Sequence, residues 1–312
     1  MEGSSVKGLV SRNRADMRTV TSHNKAALLM ASRYLLLCIF AAFFLFPIVF
    51  MVVSSLKPDD QLLRDTSSLR AFIPYGDISL DNYQGVFDRV PAGRFILNSL
   101  AISSLTVGLG LIVNSMAGFA LSRVRFRGQK VLLSLIIATL ILPLEAIAIP
   151  LLMVVTELPA ISVSDGFRIT EGWLNTYHVQ ILPFVANAFS IFLFAQYFRS
   201  IPKELDEAAL IDGASWFQIY RRVAIPLSGP AFATVSILTF LPIWNGYLWP
   251  LLVVQQEDIR PVMLGVAYFF QLDVAWGEIM AYLTLITIPI LLVFLAFQRA
   301  FIESVASSGV KG

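Results

Sequence analysis

Five side chains could do recognition chemistry in apolar surroundings: Glu145, Asn187, Trp244, Asn245 and Tyr247. Sugars offer hydroxyls to amides and carboxylates and a C–H face to aromatic rings, so Asn beside Trp and Tyr suits a polyhydroxylated solute. Glu145, in Leu142-Pro143-Leu144-Glu145, is the one acidic residue placed inside an apolar run. A carboxylate in hydrocarbon is costly, so it must face the bundle interior or a wet cavity. Two readings stay open for it: an acceptor for sugar hydroxyls, or a helix–helix contact or interfacial position. The aromatic and amide set is equally divided, because Trp and Tyr also populate the interfacial belt and Asn ties helices together. Two histidines (His23 and His178) and one cysteine (Cys38) are scattered, so no metal site, disulfide or Cys/His nucleophile is expected. The sequence has no G-x-x-x-x-G-K-[ST] phosphate loop, which excludes an ATPase of that type.

The elements that must position these residues are membrane helices. Of 312 residues, 57% are hydrophobic and 14% charged, and the mean hydropathy is +0.74. A soluble domain needs far less apolar surface, so the chain reads as a polytopic, all-α membrane protein. A net charge of +2 gives no reason to expect nucleic acid. Six runs near 33–55, 98–122, 131–155, 179–198, 229–254 and 279–298 reach the roughly 20 residues that cross a bilayer. The first is too long for a signal-peptide core and reads as a retained anchor. Sixteen of the 23 basic residues fall in the N-terminal tail, the second-to-third and fourth-to-fifth loops and the C-terminal tail. That face is the cytoplasm by the positive-inside rule, with both termini on it. The organisation expected is a tail (1–32), a six-helix domain (33–302) and a second tail (303–312). Prolines at 47, 143, 150, 183, 242, 250 and 289 fall inside the runs, where they bend helices or are simply tolerated.

The fourth-to-fifth loop, 201–228, is polar and reads as two short helices. Pro202 suits a first helical position, and Glu204, Asp206 and Glu207 complement the positive end of a helix dipole. Gly213 supplies a break. Ser215 is the expected cap of a second helix that reaches about Val223, with Pro226 as its stop. Ala208, Ala209 and Ala214 leave a small-residue face able to seat against another surface.

Written out, Glu207-Ala208-Ala209-x-x-Asp212-Gly213-Ala214 followed by Ile225-Pro226-Leu227 resembles the EAA loop of ABC importer permeases. It looks most like the maltose-type, carbohydrate-uptake branch, its second permease subunit in particular. Leu174-Asn175-Thr176-Tyr177, Ala186-Asn187-Ala188-Phe189 and Trp244-Asn245-x-x-Leu248-Trp249-Pro250-Leu251 extend the likeness, as does the tail Ser308-Gly309-Val310-Lys311-Gly312. The resemblance implies a type I importer half-channel in the bacterial inner membrane. A second permease subunit completes the pore, two ATPase subunits bind ATP and Mg, and an external binding protein delivers solute. It further implies that the EAA loop docks on the ATPase and that Gly309, Val310, Lys311 and Gly312 contact it. This chain itself would hold no cofactor and catalyse nothing.

Two alternatives remain. One is an importer permease for a non-sugar solute. The other is an ion-coupled secondary transporter, which would show inverted repeats, broken helices and several intramembrane ionisable groups. The sequence shows one such group and no repeat. No Lys or Arg falls inside a run, which favours a neutral solute.

Overall fold

Four helices of the computed structural model are long and apolar enough to cross a bilayer, and two further runs fold as bent pairs; the run 229–254 is helical only as far as Trp244 before a break. The structure describes the backbone of residues 3–162, 168–271 and 274–309, and side chains within 29–159, 172–271 and 274–298. Helix α1 (Gly3–Ser54) carries the first span from Leu29, and nearly all of that stretch faces outward. Such a face needs an apolar neighbour, lipid or another helix. The segment between the first two spans follows as α2 (Asp59–Asp65), a 3-10 turn (Leu69–Phe72) and α3 (Asp81–Arg89). The second span is α4 (Ala92–Arg123), and α5 (Gln129–Ala138) opens the third. A 3-10 turn (Thr139–Ile141) ends at Leu142, which is extended because a residue before proline avoids the helical region. Beyond Pro143, α6 (Leu144–Glu157) leaves at 104°.

A two-stranded hairpin, β1 (Pro159–Ser162) with β2 (Arg168–Glu171), pairs Pro159 with Glu171 outside the spans. It is the one sheet among the described residues of an otherwise helical fold. The fourth span is α7 (Tyr177–Val185) and α8 (Ala188–Ser200), bent by 40°. The cytoplasm-assigned loop contains α9 (Glu204–Ile211) and α10 (Trp216–Ile219). The fifth span is α11 (Gly229–Trp244), interrupted before α12 (Leu248–Val253). After α13 (Val262–Gly265), the chain closes with α14 (Trp276–Gly309). Helices α1 and α14 thus extend across the tail boundaries expected at 32 and 303.

A break in hydrocarbon frees backbone groups that water cannot satisfy. Asn114, fully buried on α4, supplies both partners at the fourth-span break: its amide donates to the Val185 carbonyl and its oxygen accepts from the Asn187 N–H, each at 2.9 Å. At the opposite end of the bundle from loop 201–228, the Asp59 carboxylate accepts from Trp276 N–H (3.0 Å) and Gly277 N–H (2.7 Å) at the start of α14. Lys57, almost fully buried, pairs with Asp65 at 2.9 Å and donates to the Arg70 carbonyl at 2.6 Å. Lys57 holds the Asp65 carboxyl below its ordinary range by donating a hydrogen bond to it. The Asp59 bonds tie the end of the first span to the start of the last, and those of Lys57 close the 57–70 segment on itself.

Candidate functional site

The loop takes the helix–break–helix form that its residues predict, with local differences. Helix α9 starts at Glu204, so Pro202 precedes it instead of occupying its first position. Gly213 has φ +80°, and its N–H bonds Leu210 while Ala214 N–H reaches back to Ala209. That pair of bonds closes a helix with a left-handed residue, a conformation in which glycine is unstrained. Ser215 caps α10 in a reciprocal box with Gln218. Beyond Ile219 the chain widens into a π turn (Tyr220–Ala224), and Pro226 opens a 3-10 turn leading into α11.

Outward from this frame stand Glu207, Ala208, Asp212, Gly213 and Pro226, all exposed, with Ala209 and Ala214 half-buried. Ile211 (87% exposed) and Phe217 (60%) stand out beside them. Both are apolar side chains left open to solvent on an otherwise polar loop. Inward, Asp206 is buried against Arg123 at 2.8 Å. Burial pushes the Asp206 carboxyl above its usual range, opposed by the Arg123 charge and assisted by Glu207. Sequence reasoning missed both partners. The helix dipole already accounted for Asp206, and the positive-inside rule already accounted for Arg123.

The second site is a cavity of about 550 Å³ between α4, α6, α7, α11 and α12. Glu145, Asn187, Asn245 and Tyr247 all line it and all are exposed. Glu145 lies in the first turn of α6, directly after the bend at Pro143, where the helix dipole favours its charge. It therefore sits at a break in the third span instead of midway along a straight one. Asn187 spends its side-chain oxygen capping α8 through Ser190 N–H (3.0 Å), leaving its amide nitrogen uncommitted. Asn245 donates to the Leu241 carbonyl at 3.0 Å, leaving its oxygen.

Trp244 is the correction. It is fully buried, stacked on Phe240 with ring centroids 5.5 Å apart, and does not line the cavity. Trp249 does, with its indole committed to the Val179 carbonyl at 2.9 Å. Ser103 and Gln180 were not foreseen, and both line the cavity. No Lys or Arg lines it. Of the tail residues, Gly309 ends α14, and Val310, Lys311 and Gly312 lie outside the described residues. No cluster of His, Cys, Asp or Glu able to hold a metal occurs among the described residues.

The third- and fourth-span breaks are the feature expected of a secondary transporter, yet the cavity they border brings only one ionisable carboxylate with it. Comparison with known proteins decides the class. The arabinooligosaccharide transport system permease AraQ of Halalkalibacterium halodurans is 33% identical over 274 residues, covering 86% of this chain and 91% of that protein. The lactose transport system permease LacG of Rhizobium radiobacter is 30% identical, covering 88% and 94%. Among solved structures, a bacterial ABC transporter involved in the import of the acidic polysaccharide alginate superposes with a TM-score of 0.71 at 26% identity, covering 88% of this chain and 96% of that one. Residues 106–307, which hold both the loop and most of the cavity, match the binding-protein-dependent transport system inner membrane component family, and the chain belongs to it.

Proposed function

We propose that the chain is one of two permease subunits of an ATP-driven importer that moves a sugar or sugar derivative into a bacterial cell across the inner membrane. Loop 201–228 seats on one of two separate ATPase subunits, which bind the ATP and Mg, and an external binding protein delivers the solute. Both termini are cytoplasmic, and Gly309 to Gly312 touch the ATPase.

The observation that carries this reading is the loop itself. Its polar attachment is turned inward to α4, while Glu207, Ala208, Ile211 and Phe217 are exposed together on its outside. Short helices such as α9 and α10 gain stability by packing, and a partner seated on that face supplies it. The sugar assignment rests on the cavity, which a carboxylate, three amides and a tyrosine line with no cation. The named relatives for arabinooligosaccharides and lactose point the same way.

A second reading, an anionic solute, is favoured by the acidic polysaccharide of the alginate importer above and by one further relative. The sn-glycerol-3-phosphate permease UgpE of Salmonella typhi is 32% identical over 264 residues. An anionic solute would need cations, which this cavity lacks, so the second permease subunit would have to supply them.

Proteoliposomes test the proposal. Uptake of labelled oligosaccharide should require ATP, the ATPase subunits and the binding protein together, and the purified chain alone should neither transport nor hydrolyse ATP. Transport by the chain alone, driven by an ion gradient, would overturn it.

A further inference from the structure

Arg123 is the last residue of α4, at the loop end of the span, yet it is only 8% exposed. Its guanidinium holds three points at once. It pairs with Asp206 of α9 at 2.8 Å, donates to the Phe198 carbonyl of α8, and donates to the Ile201 carbonyl at 2.6 Å. A planar fork can do this, whereas a lysine ammonium is a single flexible point. A second tie lies eight residues earlier on α4, where the Ser115 and Tyr220 hydroxyls meet at 2.7 Å. Eight residues of helix rise about 12 Å. Two polar ties that far apart restrain the loop against rotation as well as sliding.

The space between the ties is filled. The Phe119 ring lies 5.3 Å from Tyr220, 5.7 Å from Phe198 and 6.4 Å from Trp216. At Gly118 the helices approach so closely that a Cβ would meet the Phe194 Cβ at 2.6 Å. Close small-residue contact of this kind holds membrane helices together.

At its far end α4 reaches the cavity through Ser99, Ile102 and Ser103. The spans that adjoin the loop in sequence are less direct. The fourth is broken at Asn187, and α11 joins the loop through a π turn and a 3-10 turn. Helix α4 is continuous over 32 residues.

From this arrangement we infer that Arg123 is a positioning residue that clamps the loop to α4 and makes that helix a rod carrying loop displacement to the cavity wall. The inference rests on the importer reading above, since it presumes that an ATPase moves the loop. Each ligand state can shift the cavity only through a difference in contact energy that some element transmits.

The test uses the assembled complex in proteoliposomes, with Arg123→Lys and Asp206→Asn as variants. Arg123→Lys keeps the charge and loses the fork; Asp206→Asn keeps the fork and its carbonyl bonds and loses the ion pair. The expected result is a fall of at least about fivefold in solute imported per ATP hydrolysed, larger for Arg123→Lys. Complex yield reports a merely structural role, which would lower import and hydrolysis together and leave their ratio unchanged. A second readout is the distance between spin labels at Ser122 and Lys203, which lies off the loop's outward face. It should stay constant between nucleotide-free and ATP-trapped wild type and change between those states in Arg123→Lys. An unchanged import-to-hydrolysis ratio in both variants, or a wild-type distance that shifts with nucleotide, overturns the inference. Failure of the importer reading looks different: wild-type complex would show no ATP-dependent import at all.

Discussion

Asp206 in the loop is buried against Arg123, whereas Glu145 in the cavity stands exposed with no Lys or Arg among its lining neighbours. The same contrast runs through both regions. In the loop, Ser115 meets Tyr220, Ser215 meets Gln218, and the left-handed Gly213 completes a helix end. In the cavity, Asn187 and Asn245 each bond with one half of the amide and present the other half. A part that transmits force needs its polar groups paired internally, because an unpaired one invites local opening. A part that recognises a solute needs groups with bonding capacity left over.

The largest effects should come from breaking the loop's outward face while its inward ties stay intact. Glu207→Lys should leave the protein in the membrane at normal yield and cut ATP-coupled uptake by about tenfold or more. Gly213→Pro should do the same more severely, since φ +80° is closed to proline and the bond from Gly213 N–H to Leu210 is lost. Vesicle uptake beside ATP hydrolysis measures both. Normal uptake with either variant would mean that the outward face does not couple.

Next in size is Asn114→Ala, which strands a carbonyl and an N–H inside the bilayer at the fourth-span break. Each stranded group costs about 1–3 kcal/mol, so the melting point in detergent should drop clearly. Trp244→Ala belongs with it, at about 3–5 kcal/mol for removing a buried aromatic. Glu145→Gln should behave oppositely. Melting should be unchanged while the KM for uptake rises by about tenfold, the worth of a hydrogen bond to a charged group. If Trp244→Ala altered KM and spared stability, the assignment of Trp244 to the packed core would fail.

Much of the loop was legible because its signals are local. Gly213, Ser215 and the acidic first turn act within a few residues of themselves, and the structure realises them almost in place. The six runs were legible from composition, since the bilayer demands length and apolarity. The partners across the fold were not legible. Asp206 and Arg123 are 83 positions apart, and each already had a sufficient local reason to be there. Asn114 was overlooked because a neutral amide does not stand out beside a carboxylate such as Glu145. Trp244 was misplaced because α11 is apolar on every side, so no stripe tells which face meets the core.

The smallest effect sharpens the comparison from outside the membrane, where Lys57 and Asp65 form a third polar arrangement, paired like the loop and remote from the cavity. Asp65 has a carboxyl held below its ordinary value of 3.8 in the folded protein, chiefly by the hydrogen bond from Lys57. A depressed folded pKa means that the unfolded chain binds the proton more readily. The pair therefore contributes its stability above the unfolded pKa and loses it as pH falls through the folded one. Wild type should lose more stability than Asp65→Asn as pH drops from about 5 to about 3. Melting curves in detergent across that range give the comparison, and parallel pH profiles for the two proteins would show that the pair is electrostatically idle. Import activity at neutral pH should be nearly unaffected by Asp65→Asn, because this contact is confined to segment 57–70 and touches neither loop 201–228 nor the cavity.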